Sequence, residues 1–65
     1  MRASQKRTFV EGQRLKFRPE SWESRWFDGV YVKAVLDMPG WHYVRRCGLG
    51  NARFTVPTGR IRVLV

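Results

Sequence analysis

Cysteine and histidine are almost absent from this sequence: Cys47 and His42 each stand alone in 65 residues. One thiol cannot close an internal disulfide, and one histidine with one cysteine falls short of a structural metal set. That usage suits a reducing compartment. Long apolar runs are missing as well. None approaches the roughly 20 residues that span a bilayer, and the opening MRASQKRTF lacks the apolar core of a signal peptide. The expectation is a protein of the cytoplasm, or one associated with a nucleoid or nucleus, that is neither secreted nor membrane-borne.

Acid is scarce too. Glu11, Glu20, Glu23, Asp28 and Asp37 are the only carboxylates, and no two are spaced as a general acid and base. His42 and Cys47 are five positions apart, which in one strand sends them to opposite faces and removes a Cys–His dyad. Gly48 and Gly50 in CGLGNA precede no helix, so they are turn glycines and not a dinucleotide fingerprint. No catalytic role, metal or cofactor is expected.

Base is abundant instead. Thirteen Lys and Arg against five acids give a formal charge of +8, and ten of the thirteen are arginine. The planar guanidinium suits phosphate, carboxylate and aromatic faces, so this bias favours a binding surface over solubility alone. A 43% hydrophobic and 14% aromatic content is enough for one small core, so a single folded domain is expected and not a disordered chain.

Residues 1–8 carry Arg2, Lys6 and Arg7 without periodicity and read as a flexible, disordered basic arm; the domain runs from 9 to 65. From Gly12 the pattern alternates, with Leu15 and Phe17 on one side and Arg14, Lys16 and Arg18 on the other. PESWES is a loop with Trp22 near its tip. A second strand is expected over 26–36, with a bulge or sharp bend at Gly29. DMPG turns it into WHYVRRC, so 26–47 reads as a hairpin. ARFTV follows GLGN, with Phe54 and Val56 as its apolar parity. PTG then makes a tight turn into RIRVLV, where Ile61, Val63 and Val65 point inward. No stretch has helical spacing. The fold expected is all-β: a single small five-stranded barrel with Leu15, Phe17, Val32, Phe54, Ile61 and Val63 as common core.

A first strand EGQRLKF, an aromatic loop, RWFDGVYVKAV, WHYVRR and FTVPTGRIRV in that order resemble the SH3-like barrels of the Tudor and Agenet type over residues 9–65. That resemblance implies an aromatic box drawn from Trp22, Trp26, Phe27, Trp41 and Tyr43, able to hold a methylated cation through ring quadrupoles. A chain at +8 repels a basic tail at long range, which weighs against this use. The chain is also loosely similar to the small-barrel, trimethoprim-resistant dihydrofolate reductases, through GQRLKF and a proline before the last strand. ARFTV stands where that family has its pore-lining run, so reductase chemistry is not expected.

Cations interleaved with aromatics are the pattern small β-barrels use on nucleic acid, DNA or RNA. The candidate binding residues are Arg14, Lys16, Arg18, Trp22, Trp41, Tyr43, Arg45, Arg46, Arg53, Arg60 and Arg62. Strand three admits two orientations. With Val44 inward, Trp41, Tyr43 and Arg45 form an external stripe, as in the Tudor pattern. With Trp41, Tyr43 and Cys47 inward, as composition favours, His42 and Arg46 face water. Trp26 is expected to pack in the core or at a hinge, Phe27 to lie partly exposed, and Trp22, in a polar loop, to be the best single stacking candidate. The reading is a non-enzymatic, basic nucleic-acid-binding accessory or regulatory protein. Its alternative is a Tudor-like protein-interaction module binding an acidic partner or a peptide in an aromatic groove. A barrel this small is also a candidate for homo-oligomerisation.

Overall fold

The computed structural model describes residues 9–48, 50 and 52–64; the expected arm at 1–8 and the inward place given to Val65 lie outside the described residues. Five strands follow in chain order: β1 (Arg14–Phe17), β2 (Phe27–Ala34), β3 (Trp41–Arg46), β4 (Arg53–Pro57) and β5 (Ile61–Val63). A single 3-10 turn, Thr58–Arg60, joins the last two. All pairings are antiparallel, in one sheet ordered β4-β3-β2-β1-β5. The all-β expectation holds, and the hairpin expected within 26–47 is the β2–β3 pair.

β4 and β5 stand at opposite ends of that order, yet three residues connect them. In a flat sheet they would lie four strand spacings apart, about 19 Å, whereas a 3-10 turn advances only about 2 Å per residue. The sheet must therefore curl, and its side chains record the curl. Phe17 of β1 and Phe54 of β4 are three strand positions apart, but their ring centroids are 5.4 Å apart. The turn is fastened on both sides. Thr58 N–H donates to the Gly40 carbonyl at 2.9 Å, and Arg18 N–H donates to the Arg60 carbonyl at 3.0 Å. Such a curled sheet is compatible with a small β-barrel.

The concave face holds the core. Leu15, Phe17, Val44 and Val56 are fully buried, Tyr31 and Ile61 complete the cluster, and Phe9, Phe27 and Phe54 pack against it. The alternation read in β1 and β4 is the one observed. That of β2 is not. Val32, expected in the core, is half-buried, and Tyr31 takes the inward place. The register with β3 slips between Tyr31 and Lys33, so the bulge sits at Val32 and not at Gly29. Leu36, of the same parity as Val32, is 98% exposed in the turn beyond the strand. Val63, also expected in the core, is half-buried on the short β5. Trp26 precedes β2, half-buried and outside the core cluster, which corrects its expected core role.

Gly29 serves a different purpose. It lies inside β2 opposite Leu15 and Arg46, and the Phe17 ring rests on it. A Cβ there would stand 2.7 Å from Phe17 Cε1 and 3.0 Å from the Arg45 carbonyl oxygen. Since Phe17 is fully buried, its ring cannot withdraw without disturbing the curl. Gly29→Ala should cost about 1–3 kcal/mol in urea unfolding. Paired with Phe17→Leu, it should cost clearly less than the sum of the single losses, because the two sites share one contact. Strict additivity would show that the close approach is not what requires glycine.

Candidate nucleic-acid interface

Strand register builds a row of arginines across the convex face. Arg53 of β4 stands opposite Arg45 of β3, Arg45 opposite Val30 of β2, and Val30 opposite Arg14 of β1. The row spans three strand spacings, about 14 Å, and contains no acid. Arg14, Arg45 and Arg53 are exposed and make no side-chain hydrogen bond or ion pair among the described residues. Like charges directly opposed across strands are unfavourable, so the Arg45–Arg53 pair is a cost the fold carries. Lys33 lies on the same outer parity beside Tyr43.

A second group gathers at the β1–β5 side. Lys16 faces both Asp28 and Arg62 across its two neighbouring strands. Its ammonium meets Asp28 at 3.5 Å, a well-solvated pair worth little to stability. Two guanidinium groups stand over the Trp26 ring, Arg62 at 4.2 Å and Arg18 at 5.3 Å from its centroid. Arg60 Nε donates to the Arg18 carbonyl at 3.1 Å, and its guanidinium sits 5.9 Å from the Trp41 ring. The result is a ladder in the order Trp41, Arg60, Arg18, Trp26, Arg62. Within it, Arg18 and Arg60 are committed to the fold by hydrogen bonds, while Arg62, at the free end, is exposed.

Arg46 is set apart from the other candidates. It has inward parity on β3 and stacks on Phe27 at 4.2 Å, closing one end of the core. Arg25 approaches the same ring at 5.4 Å. Trp22 is 77% exposed, and the loop that carries it is anchored by its neighbour. Glu23 is buried, and its carboxylate accepts from Arg25 N–H at 2.9 Å, Nε at 3.0 Å and Nη2 at 3.3 Å. The side-chain bond from Arg25, then its backbone N–H, hold the Glu23 carboxyl below the usual carboxylate range against the opposing pull of desolvation. Glu23 and Arg25 were not among the sequence candidates; the one available signal was an acid beside an otherwise unexplained Trp.

Strand three takes the first of its two orientations. Val44 and His42 are buried, while Trp41 and Tyr43 are half-buried on the outer parity with exposed Arg45. Counting apolar residues favours the other orientation, and it fails because His42 is fully partnered inside. Thr58 Oγ1 donates to the Gly40 carbonyl at 3.2 Å, so it must accept from His42 Nε2–H at 2.8 Å, which leaves Nδ1 to accept from the Tyr31 hydroxyl at 3.0 Å. Phe9 covers the pair, stacked on Tyr31 at 5.0 Å and edge-on to His42 at 4.8 Å.

Among the described residues, no three His, Cys, Asp or Glu side chains cluster as metal ligands would. An open cleft of about 420 Å³ is lined by Lys33 and Ala34 of β2, Tyr43 of β3 and residues 35–37 of the turn between them, with Asp37 as its one acid. What fold and surface define is a small all-β protein whose convex face carries a row of arginines unpaired among the described residues. Compared with protein-family models, curated proteins and solved structures, the chain matches none.

The His42 network has a consequence for stability. Burial pushes the imidazole below its ordinary value of 6.5, so the folded state favours the neutral ring. Above about pH 6.5 that contribution is complete; it is lost as pH falls below 6.5 through the lowered folded value, because the unfolded chain then binds the extra proton. The melting temperature should drop between pH 7 and pH 5. In His42→Gln the melting temperature should start lower, since each hydrogen bond lost costs about 0.5–1.5 kcal/mol of stability, and stay nearly flat over the same interval. An equal drop in both proteins would assign the acid sensitivity elsewhere.

Proposed function

We propose that this protein is an SH3-like barrel of the Tudor type that binds nucleic acid without enzymatic activity, as an accessory or regulatory factor of the cytoplasm or nucleoid. The observation that carries the reading is the row Arg53, Arg45 and Arg14, exposed, without an acid, and containing two arginines directly opposed. A run of phosphates would relieve that repulsion, and each guanidinium keeps its full fork of N–H donors for it. Tyr43 and Trp41, half-buried on the same parity, supply aromatic surface next to the charges. The methyl-cation cage is less well supported, because the arginines of the chain already stand against Trp26 and Phe27.

Binding to random oligonucleotides should weaken steeply with salt, with a log–log slope of about −3 to −6 for four to seven neutralised phosphates. The double reversal Arg14→Glu with Arg45→Glu should leave the melting transition cooperative, weaken all sequences alike and flatten that slope by about 2. Unchanged nucleic-acid binding in the reversed variant, together with lost capture of one defined acidic protein, would transfer the surface to a protein partner.

A further inference from the structure

Charge alone does not explain Trp22. An indole that is 77% exposed forgoes burial that would stabilise so small a domain, and the loop does not leave it to wander. Glu23 N–H donates to the Glu20 carbonyl at 3.1 Å, Arg18 Nη1 donates to the Glu23 carbonyl at 3.2 Å, and the Glu23 carboxylate takes three bonds from Arg25. One buried acid thus fixes the residue next to Trp22 from both main chain and side chain. Arg18, which receives the loop, is the same arginine that stands against Trp26. The loop therefore joins the ladder at the step where Arg18 and Arg62 stand over one indole.

We infer that the nucleic acid is engaged as a single strand, with one unpaired base stacked on Trp22 and an adjoining phosphate drawn to Arg62, the exposed arginine that stands against Trp26. This rests on the nucleic-acid reading above and adds to it the class of ligand. A duplex offers its phosphates and groove edges but not the faces of its bases, so Trp22 would stay bare on it. A single strand offers a π-face at every nucleotide, and the backbone next to Trp22 is already held through Glu23, so less of the loop has to be ordered on binding. Arg62 is suited to the backbone because its guanidinium is held 4.2 Å from the Trp26 ring centroid while the residue remains exposed to water.

The test compares a fluorescently labelled single-stranded oligonucleotide, as DNA and as RNA, with the matching duplex at low salt. Wild-type protein should bind the single strand more tightly than the duplex. Trp22→Ala should weaken single-strand binding about 5- to 100-fold and duplex binding less than about twofold, with an unchanged salt slope and melting temperature; Trp22→Phe should retain most of the affinity. Equal losses on both ligands, no loss on the single strand, or a wild-type preference for duplex would overturn this inference while leaving the charge-based reading in place. Binding of neither ligand by the wild type would overturn both.

Discussion

The short connection between β4 and β5 is the constraint on which the remaining geometry depends. Because Thr58–Arg60 must join the two ends of a five-strand order, the sheet cannot stay flat. Curling brings Phe54 onto Phe17, and the space left for the Phe17 ring is the space above a residue without a Cβ. The same turn brings Thr58 to the buried His42 and gives the imidazole a second partner, so that a polar ring is tolerated on the concave face. Tyr31, whose own ionisation burial makes harder, supplies the first. Core, polar network and curl are thus one arrangement.

The curl also sorts the arginines. Those near the seam and the core edge are drawn into structure: Arg18 and Arg60 bond to carbonyls, Arg46 covers Phe27, and Arg25 holds Glu23. Arginine is suited to this because its flat, weakly hydrated head can lie on an aromatic ring while still donating at its rim. Those on the open convex face, Arg14, Arg45 and Arg53, keep their donors. The formal charge of +8 therefore overstates the number of cations held ready for a partner, and strand register selects which ones they are.

Much of this was legible from period-2 alternation where a strand is regular. Leu15 with Phe17, and Phe54 with Val56, face the side their spacing indicates, and Trp22 is exposed as its polar loop suggests. Legibility ends where one residue changes the parity. The bulge at Val32 leaves no composition signal, because Tyr31, Val32 and Lys33 fit either face of a strand. Gly29 did leave a signal, but a glycine within a strand reads equally as a bulge or as a place of close approach. His42 was misleading for a related reason. Its burial depends on Thr58, sixteen residues away, and no local pattern reports a partner at that distance.

The arginine–aromatic pairs were invisible for the same reason, and they change what the interleaving in the sequence means. Arg18 and Trp26, or Arg60 and Trp41, come together only through strand pairing and the 3-10 turn. Read linearly, each aromatic beside a cation looks like a free stacking surface; in the fold, several are already covered by the chain itself. The aromatics divide accordingly. Trp26 and Phe27 orient guanidinium groups, whereas Trp22 has none of the arginine–aromatic pairs found among the described residues. An indole left out of every such pair, on a loop fixed by a buried acid, is a stability cost with no structural return. The opposed Arg45 and Arg53 are another. Under the proposed reading, a ligand that brings negative charge and flat aromatic rings in one chain would answer both of these costs on the outer surface of one small domain.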